Sequence, residues 1–146
     1  MYNVVKNLHS YWAYIVLVII ILAVLNSIFK SLSKKEYQAT DFRLSLFTLI
    51  VSHIQLLIGL ILYFMSPRFS LFGESGMGEI MKNSVDRLYL VEHPIINILA
   101  IVLITMGYSK HKKKLTSTPK FNTIAVFYSI ALILLLSRIP WSTWMS

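Results

Sequence analysis

The chain has 146 residues, 56% of them hydrophobic and only 14% charged, with no cysteine. A soluble domain averages about 45–50% apolar and about 25% charged residues, so this composition excludes a globule that faces water on every side. The missing cysteine excludes a disulfide frame, a thiolate metal site and the Cys-x-x-Cys-His attachment of c-type haem.

In chain order, the first charge-free run lies between Lys6 and Lys30 and predicts a span over about residues 8–29. Its apolar core is long for a signal peptide and ends in Asn26-Ser27-Ile28-Phe29-Lys30 rather than at an Ala-x-Ala site, so it reads as a retained span. Arg43 and Arg68 bracket the second run, about 43–65, with Thr40 or Asp41 as its cap. The loop over roughly 66–85 mixes Phe69, Leu71, Phe72, Ile80 and Met81 with three glycines. It reads as an interfacial segment over one mouth of the bundle. The third run, about 87–108, is broken only by Glu92 and is capped by Asn83 or Ser84. The fourth, about 120–141, follows Thr118-Pro119, read as an N-cap with proline at the first helical position. Roughly 20 residues at 1.5 Å each cross a bilayer core of about 30 Å. Backbone groups in lipid must be satisfied internally, so each run should be helical. The expected fold is all-α: one transmembrane domain over 1–146, a four-helix up-and-down bundle embedded in the lipid bilayer.

Charge sets the expected orientation. Lys30, Lys34, Lys35 and Arg43 flank the first loop, and Lys110, Lys112, Lys113, Lys114 and Lys120 fill the third, so nine of the 14 basic residues share one side. The positive-inside rule makes that side cytoplasmic and puts both termini on the extracytoplasmic side. The net charge of +8 therefore has a topological source, and the lysine run suits anionic lipid rather than nucleic acid. Trp12, Tyr11, Trp141 and Trp144 fall where an outer aromatic belt belongs.

Polar residues inside the spans carry the functional information. They are His9 and Asn26, His53 and Gln55, Glu92, His93 and Asn97, and Arg138; His111 falls in the basic loop among the lysines and is given no role beyond theirs. Imidazole is the commonest metal ligand, and histidines from facing helices grip b-type haem in a helical bundle. In an up-and-down bundle the first and third spans lie diagonally across the core. His93 lies about six residues, or roughly 9 Å, inside Arg87, close in depth to His9, whereas His53 sits about 18 Å from the same end. Either can face His93 by spacing alone. Glu92 and Arg138 share a depth and form a second constellation, since an unpaired charge there costs at least a few kcal/mol. They read as an ion pair closing the outer end, with Arg138 available to a haem propionate and Glu92 handling protons beside His93. Pro94 disfavours helix at His93, which predicts irregular backbone at this point.

The segments Leu8-His9-Ser10-Tyr11-Trp12, Asp41-Phe42-Arg43-Leu44-Ser45-Leu46, Ser52-His53-Ile54-Gln55-Leu56-Leu57-Ile58-Gly59 and Val91-Glu92-His93 resemble a family of small bacterial four-helix membrane proteins labelled cytochrome b. The layout is also similar to haem-binding membrane protoporphyrinogen oxidases and copper-resistance D-type proteins, which have a histidine opening span one and another early in span three, as His9 and His93 do. The resemblance implies haem b, electron transfer with a larger respiratory or redox complex, and a bacterial inner membrane. Its site residues would be His93, His9 and His53 as metal ligands, with Arg138 and Glu92 beside the cofactor. A porphyrinogen oxidase is the rival reading, although Arg43 stands where that family has a lysine. A cofactor-free accessory or structural subunit is the other. No GxGxxG, Walker A, His-Glu-x-x-His or Gly-x-Ser-x-Gly motif points to a further enzyme class.

Overall fold

The computed structural model describes residues 1–144. It is 88% helical, and four helices are long and apolar enough to cross a membrane. These are α1 (Tyr2–Leu32), α2 (Ala39–Met65), α3 (Ser84–Lys112) and α4 (Ser117–Ser137). At 31 residues, α1 is about 46 Å long by the 1.5 Å rise, so it overruns a hydrocarbon core of about 30 Å. Helix α1 packs on α2 and α4, and α3 packs on the same two neighbours. The pairs α1/α3 and α2/α4 are thus the diagonals of an up-and-down bundle.

Two short loops and one longer connection join the spans in this order. At the end of α1, Lys35 N–H donates to Lys30 O (2.9 Å) and Lys34 N–H to Ser31 O (3.3 Å). This is a Schellman closure, with Lys34 at φ 54° in the left-handed position usually given to glycine. Helix α2 begins at Ala39 with Gln38 as its cap, two and three residues before the expected Thr40 or Asp41. Asp41 instead sits on the first turn and accepts from Gln38 N–H at 2.9 Å. The 66–85 connection is a chain of short helical turns, Pro67–Ser70, Leu71–Glu74 and Gly76–Lys82. Asn83 then caps α3, its Oδ1 accepting from Val85 and Asp86 N–H. Helix α4 begins at Ser117 with Thr116 as its cap, so Pro119 sits at the third position and not the first. There it lacks only an N–H that has no intrahelical acceptor anyway. The helix stops at Ser137 because Arg138 leaves helical geometry (φ −127°, ψ 26°) ahead of Pro140. The expected end at 141 is four residues too late.

The core is layered with Val16, Ile20, Ala23, Ile104, Ile124, Tyr128 and Ala131. Outward-facing positions such as Val18, Leu25, Leu57, Ile61 and Ile133 remain exposed and apolar, as a bundle surrounded by lipid requires. Small residues let the helices approach closely. At Gly107, a Cβ would lie 2.4 Å from Cβ of Phe127, so α3 and α4 touch there through glycine alone.

Candidate functional site

The amino-terminal end of α3 is wound more widely than the rest. Leu88–Glu92 forms a π turn between the α-helical turn Ser84–Arg87 and the regular helix from His93, and such single-turn bulges recur at functional sites. The cause is Pro94, which has no N–H to offer the Leu90 carbonyl. That carbonyl accepts instead from Tyr63 Oη of α2 at 2.9 Å. The irregular backbone thus lies one turn ahead of the expected place, over Leu88–Glu92, while His93 itself is helical (φ −60°, ψ −50°) and begins the regular helix; α2 supplies the replacement donor. The wide turn also brings residues five apart onto one face. Arg87 Nε donates to Glu92 Oε2 at 2.9 Å, while Arg138 Nε stands 3.8 Å from Glu92 Oε1. Glu92 thus lies between two guanidinium groups, and Arg87 is the nearer.

Directly below, His93 projects across the bundle toward His9. The two rings are 6.2 Å apart between centroids and nearly perpendicular, at 82°. His93 Nδ1 lies 2.8 Å from the carbonyl oxygen of Arg138. A carbonyl can only accept, so Nδ1 carries the proton and the Nε2 lone pair is left for a ligand or a second donor. The carbonyl is available because α4 has just ended. Asn97 Nδ2 holds the His93 carbonyl at 2.5 Å. On the other side, Gln55 Nε2 of α2 donates to the backbone carbonyl of His9 at 2.9 Å. Gly59 lies one turn further along α2, and a Cβ there would stand 3.1 Å from His9 Cε1. The His9 ring therefore occupies a cradle that any other residue at 59 would crowd. Its Nδ1 is buried without a hydrogen-bond partner among the described residues.

His53 is not brought into this group. Its Nδ1 donates to Leu49 O at 2.8 Å, and its Nε2 lies 3.3 Å from Thr105 Oγ1 on α3. Of the two histidines open to His93 by spacing, the one facing it is His9. Among the described residues no three His, Cys, Asp or Glu side chains gather as a metal cage. The clefts of about 390 and 330 Å³ lie beside Ile80–Asp86 and Thr105–Lys113, away from the histidine pair.

At the opposite end of the bundle lies a second polar cluster. Asp41, only 3% exposed, accepts from Lys30 Nζ at 2.6 Å and Asn26 Nδ2 at 2.9 Å. His111 is not a loop residue like its lysine neighbours, for it is fully buried (0% exposed). Its Nδ1 donates to Tyr108 O, and Tyr37 Oη pairs with its Nε2 at 2.8 Å. Between the two ends, α2 turns a polar face inward through Asp41, Ser45, Thr48 and Ser52, continued by Gln55 and Gly59. That 4-3-4-3-4 spacing is the helical signal that identifies this seam in the sequence.

No family model matches this chain, and no curated protein or solved structure matches it. The reading of the site therefore rests on its own chemistry.

Proposed function

We propose that this chain is a small b-type cytochrome-like protein of a bacterial cytoplasmic membrane, holding haem b between His9 and His93 in the extracytoplasmic half of the bundle. The observation that carries this reading is the facing of two imidazoles across the α1/α3 diagonal, 6.2 Å apart. The donor set suits haem better than a bare metal ion. Two histidines are too few to cage a metal alone, but a porphyrin brings four nitrogens of its own and needs only axial partners. His93 would hold the haem through Nε2, since its Nδ1 proton is fixed on the Arg138 carbonyl. Gly59 keeps the space that the His9 ring occupies. Haem bound by two imidazoles supplies a one-electron couple. The chain's own part is to fix both rings, exclude water with four apolar helices and keep Glu92 neutralised at the mouth.

The orientation in this reading follows the positive-inside rule, with both termini extracytoplasmic. Electrons would pass to a larger redox complex in the same membrane. The oxidase alternative is weaker, because Arg43 lies on the first turn of α2, roughly 24 Å by helical rise from Gly59 and the histidine pair. A cofactor-free accessory role has one observation in its favour. Trp12 Nε1 to Val51 O, Tyr63 Oη to Leu90 O and Tyr128 Oη to Ser45 O, each at 2.9 Å, tie the helices together without any cofactor.

The experiment is an absorption spectrum of the detergent-purified protein, oxidised and then dithionite-reduced. Reduced b-type bands are expected and would eliminate the accessory role. A featureless spectrum from haem-replete cells would sink the haem reading.

A further inference from the structure

Among the described residues, three buried polar atoms have no hydrogen-bond partner: His9 Nδ1, Gln55 Oε1 and Ser52 Oγ. They are not scattered. Gln55 Nε2 is fixed on the His9 carbonyl at 2.9 Å, so Oε1 of the same amide is held within a few ångströms of His9. Ser52 precedes Gln55 by one turn on the inward face of α2, where residues three apart are neighbours at about 5–6 Å between Cβ atoms. It is 1% exposed.

A serine in a membrane helix ordinarily bonds back to the carbonyl four residues earlier. Ser45 and Thr48 do so on this same helix, to Asp41 O at 3.2 Å and Leu44 O at 2.9 Å. Ser52 has the Thr48 carbonyl at the equivalent place and leaves it alone. Small residues for close helix packing would explain a serine here but not an unsatisfied one, nor two further orphans beside it. Burying a polar group without a partner is costly, and three in one place call for a common partner.

We propose that His9, Gln55 and Ser52 form an internal water-binding site between α1 and α2. Buried water typically makes 2–4 hydrogen bonds to otherwise unsatisfied groups, and the donor and acceptor inventory closes. Gln55 Oε1 can only accept, so it accepts a hydrogen bond from water. His9 Nδ1–H donates to that water, and the Ser52 hydroxyl, which can donate or accept, completes the file one turn deeper. The consequence concerns the tautomer of His9. With its proton on Nδ1, the ring presents the Nε2 lone pair, as His93 does through the Arg138 carbonyl. Water is a known partner for the outer nitrogen of a metal-bound histidine. The water site stands on the orphaned atoms, and only its bearing on ligation rests on the haem reading.

The test uses the full chain in lipid nanodiscs, labelled with ¹⁵N-histidine and free of haem. Solid-state NMR should find the His9 proton on Nδ1 and magnetisation transfer from water to that proton. Ser52→Ala removes a hydroxyl that no protein group holds. If the site is hydrated, this change should lower the melting temperature by a few degrees and weaken the transfer from water to His9. A melting temperature unchanged or raised by Ser52→Ala would overturn the proposal, because deleting a dry orphan relieves a cost. So would a His9 ring with no transfer from water. Gln55→Leu provides a second reading through the same transfer, although it also removes the bond to the His9 carbonyl. Haem reconstitution of the unaltered protein is scored separately, so a dry His9 with b-type bands removes the water site alone.

Discussion

The backbone carbonyl of Arg138 receives the Nδ1 proton of His93 at 2.8 Å, so the residue beside this histidine acts through its peptide group and not its guanidinium. The chain end of α4 is therefore part of the site. Substitution of the Arg138 side chain leaves that carbonyl in place, and Arg138→Ala should keep a six-coordinate low-spin spectrum. His93→Ala should abolish haem retention. His9→Ala should convert the spectrum to high spin, and His53→Ala, on a ring engaged with Leu49 and Thr105, should leave it unaltered. A wild-type spectrum from His93→Ala would show the site to be misplaced.

Glu92 provides the second prediction. Its two partners differ in distance, 2.9 Å for Arg87 Nε and 3.8 Å for Arg138 Nε. The side chains are about a third exposed or more, so screening holds each pair to about 0–1 kcal/mol. Arg87→Ala should cost more than Arg138→Ala in a thermal-melt series. Glu92→Gln should make both arginine changes nearly neutral. An equal loss for either arginine, persisting in the Glu92→Gln background, would show that neither meets the carboxylate.

These contacts also show how far the sequence can be read. The four spans are legible because each is a run of bilayer length with at most one charge in its interior, and the diagonal placement of His9 and His93 follows from the up-and-down order of the spans and matched depth. The Arg87–Glu92 pair is not legible, since residues five apart diverge on an α-helix and meet only on the wider turn that Pro94 induces. The role of the Arg138 carbonyl is hidden because every residue carries a carbonyl and only the observed helix end frees this one. His111 was obscured by the lysines around it, although three and four residues earlier stand Tyr108 and Gly107, a helical face that turns inward. Its burial depends on Tyr37 and Phe42 reaching it from other segments, which no local pattern reports.

The close approach of α3 and α4 gives a prediction about stability alone. A methyl group at Gly107 would stand 2.4 Å from Cβ of Phe127, a distance that requires backbone movement. Overpacking of this kind typically costs about 1–3 kcal/mol. Gly107→Ala should lower the melting temperature markedly, and Gly73→Ala, at a position with open space around its Cβ direction, should not. If the two changes are equivalent, α3 and α4 do not touch through glycine.

At the basic end, Tyr37 lies in the first loop and its hydroxyl pairs with His111 Nε2 at 2.8 Å. Burial pushes its phenol up from 10.0 to about 12, with the nearby Asp41 and Tyr108 adding to the rise and a hydrogen bond to Ser45 opposing it. A folded-state pKa above the unfolded value means that the folded chain holds the proton more tightly. The contribution to stability is complete below pH 10, where both states are protonated. It is lost as pH climbs from about 10 towards 12, because the unfolded chain ionises first. The melting temperature should therefore fall across that window, and Tyr37→Phe should flatten the part of the fall that belongs to this phenol. The difference between the two curves is the part that belongs to the Tyr37 hydroxyl. Parallel curves from pH 9 to pH 12 would mean that its hydroxyl is open to water and that the Tyr37–His111 pair does not close this end of the bundle.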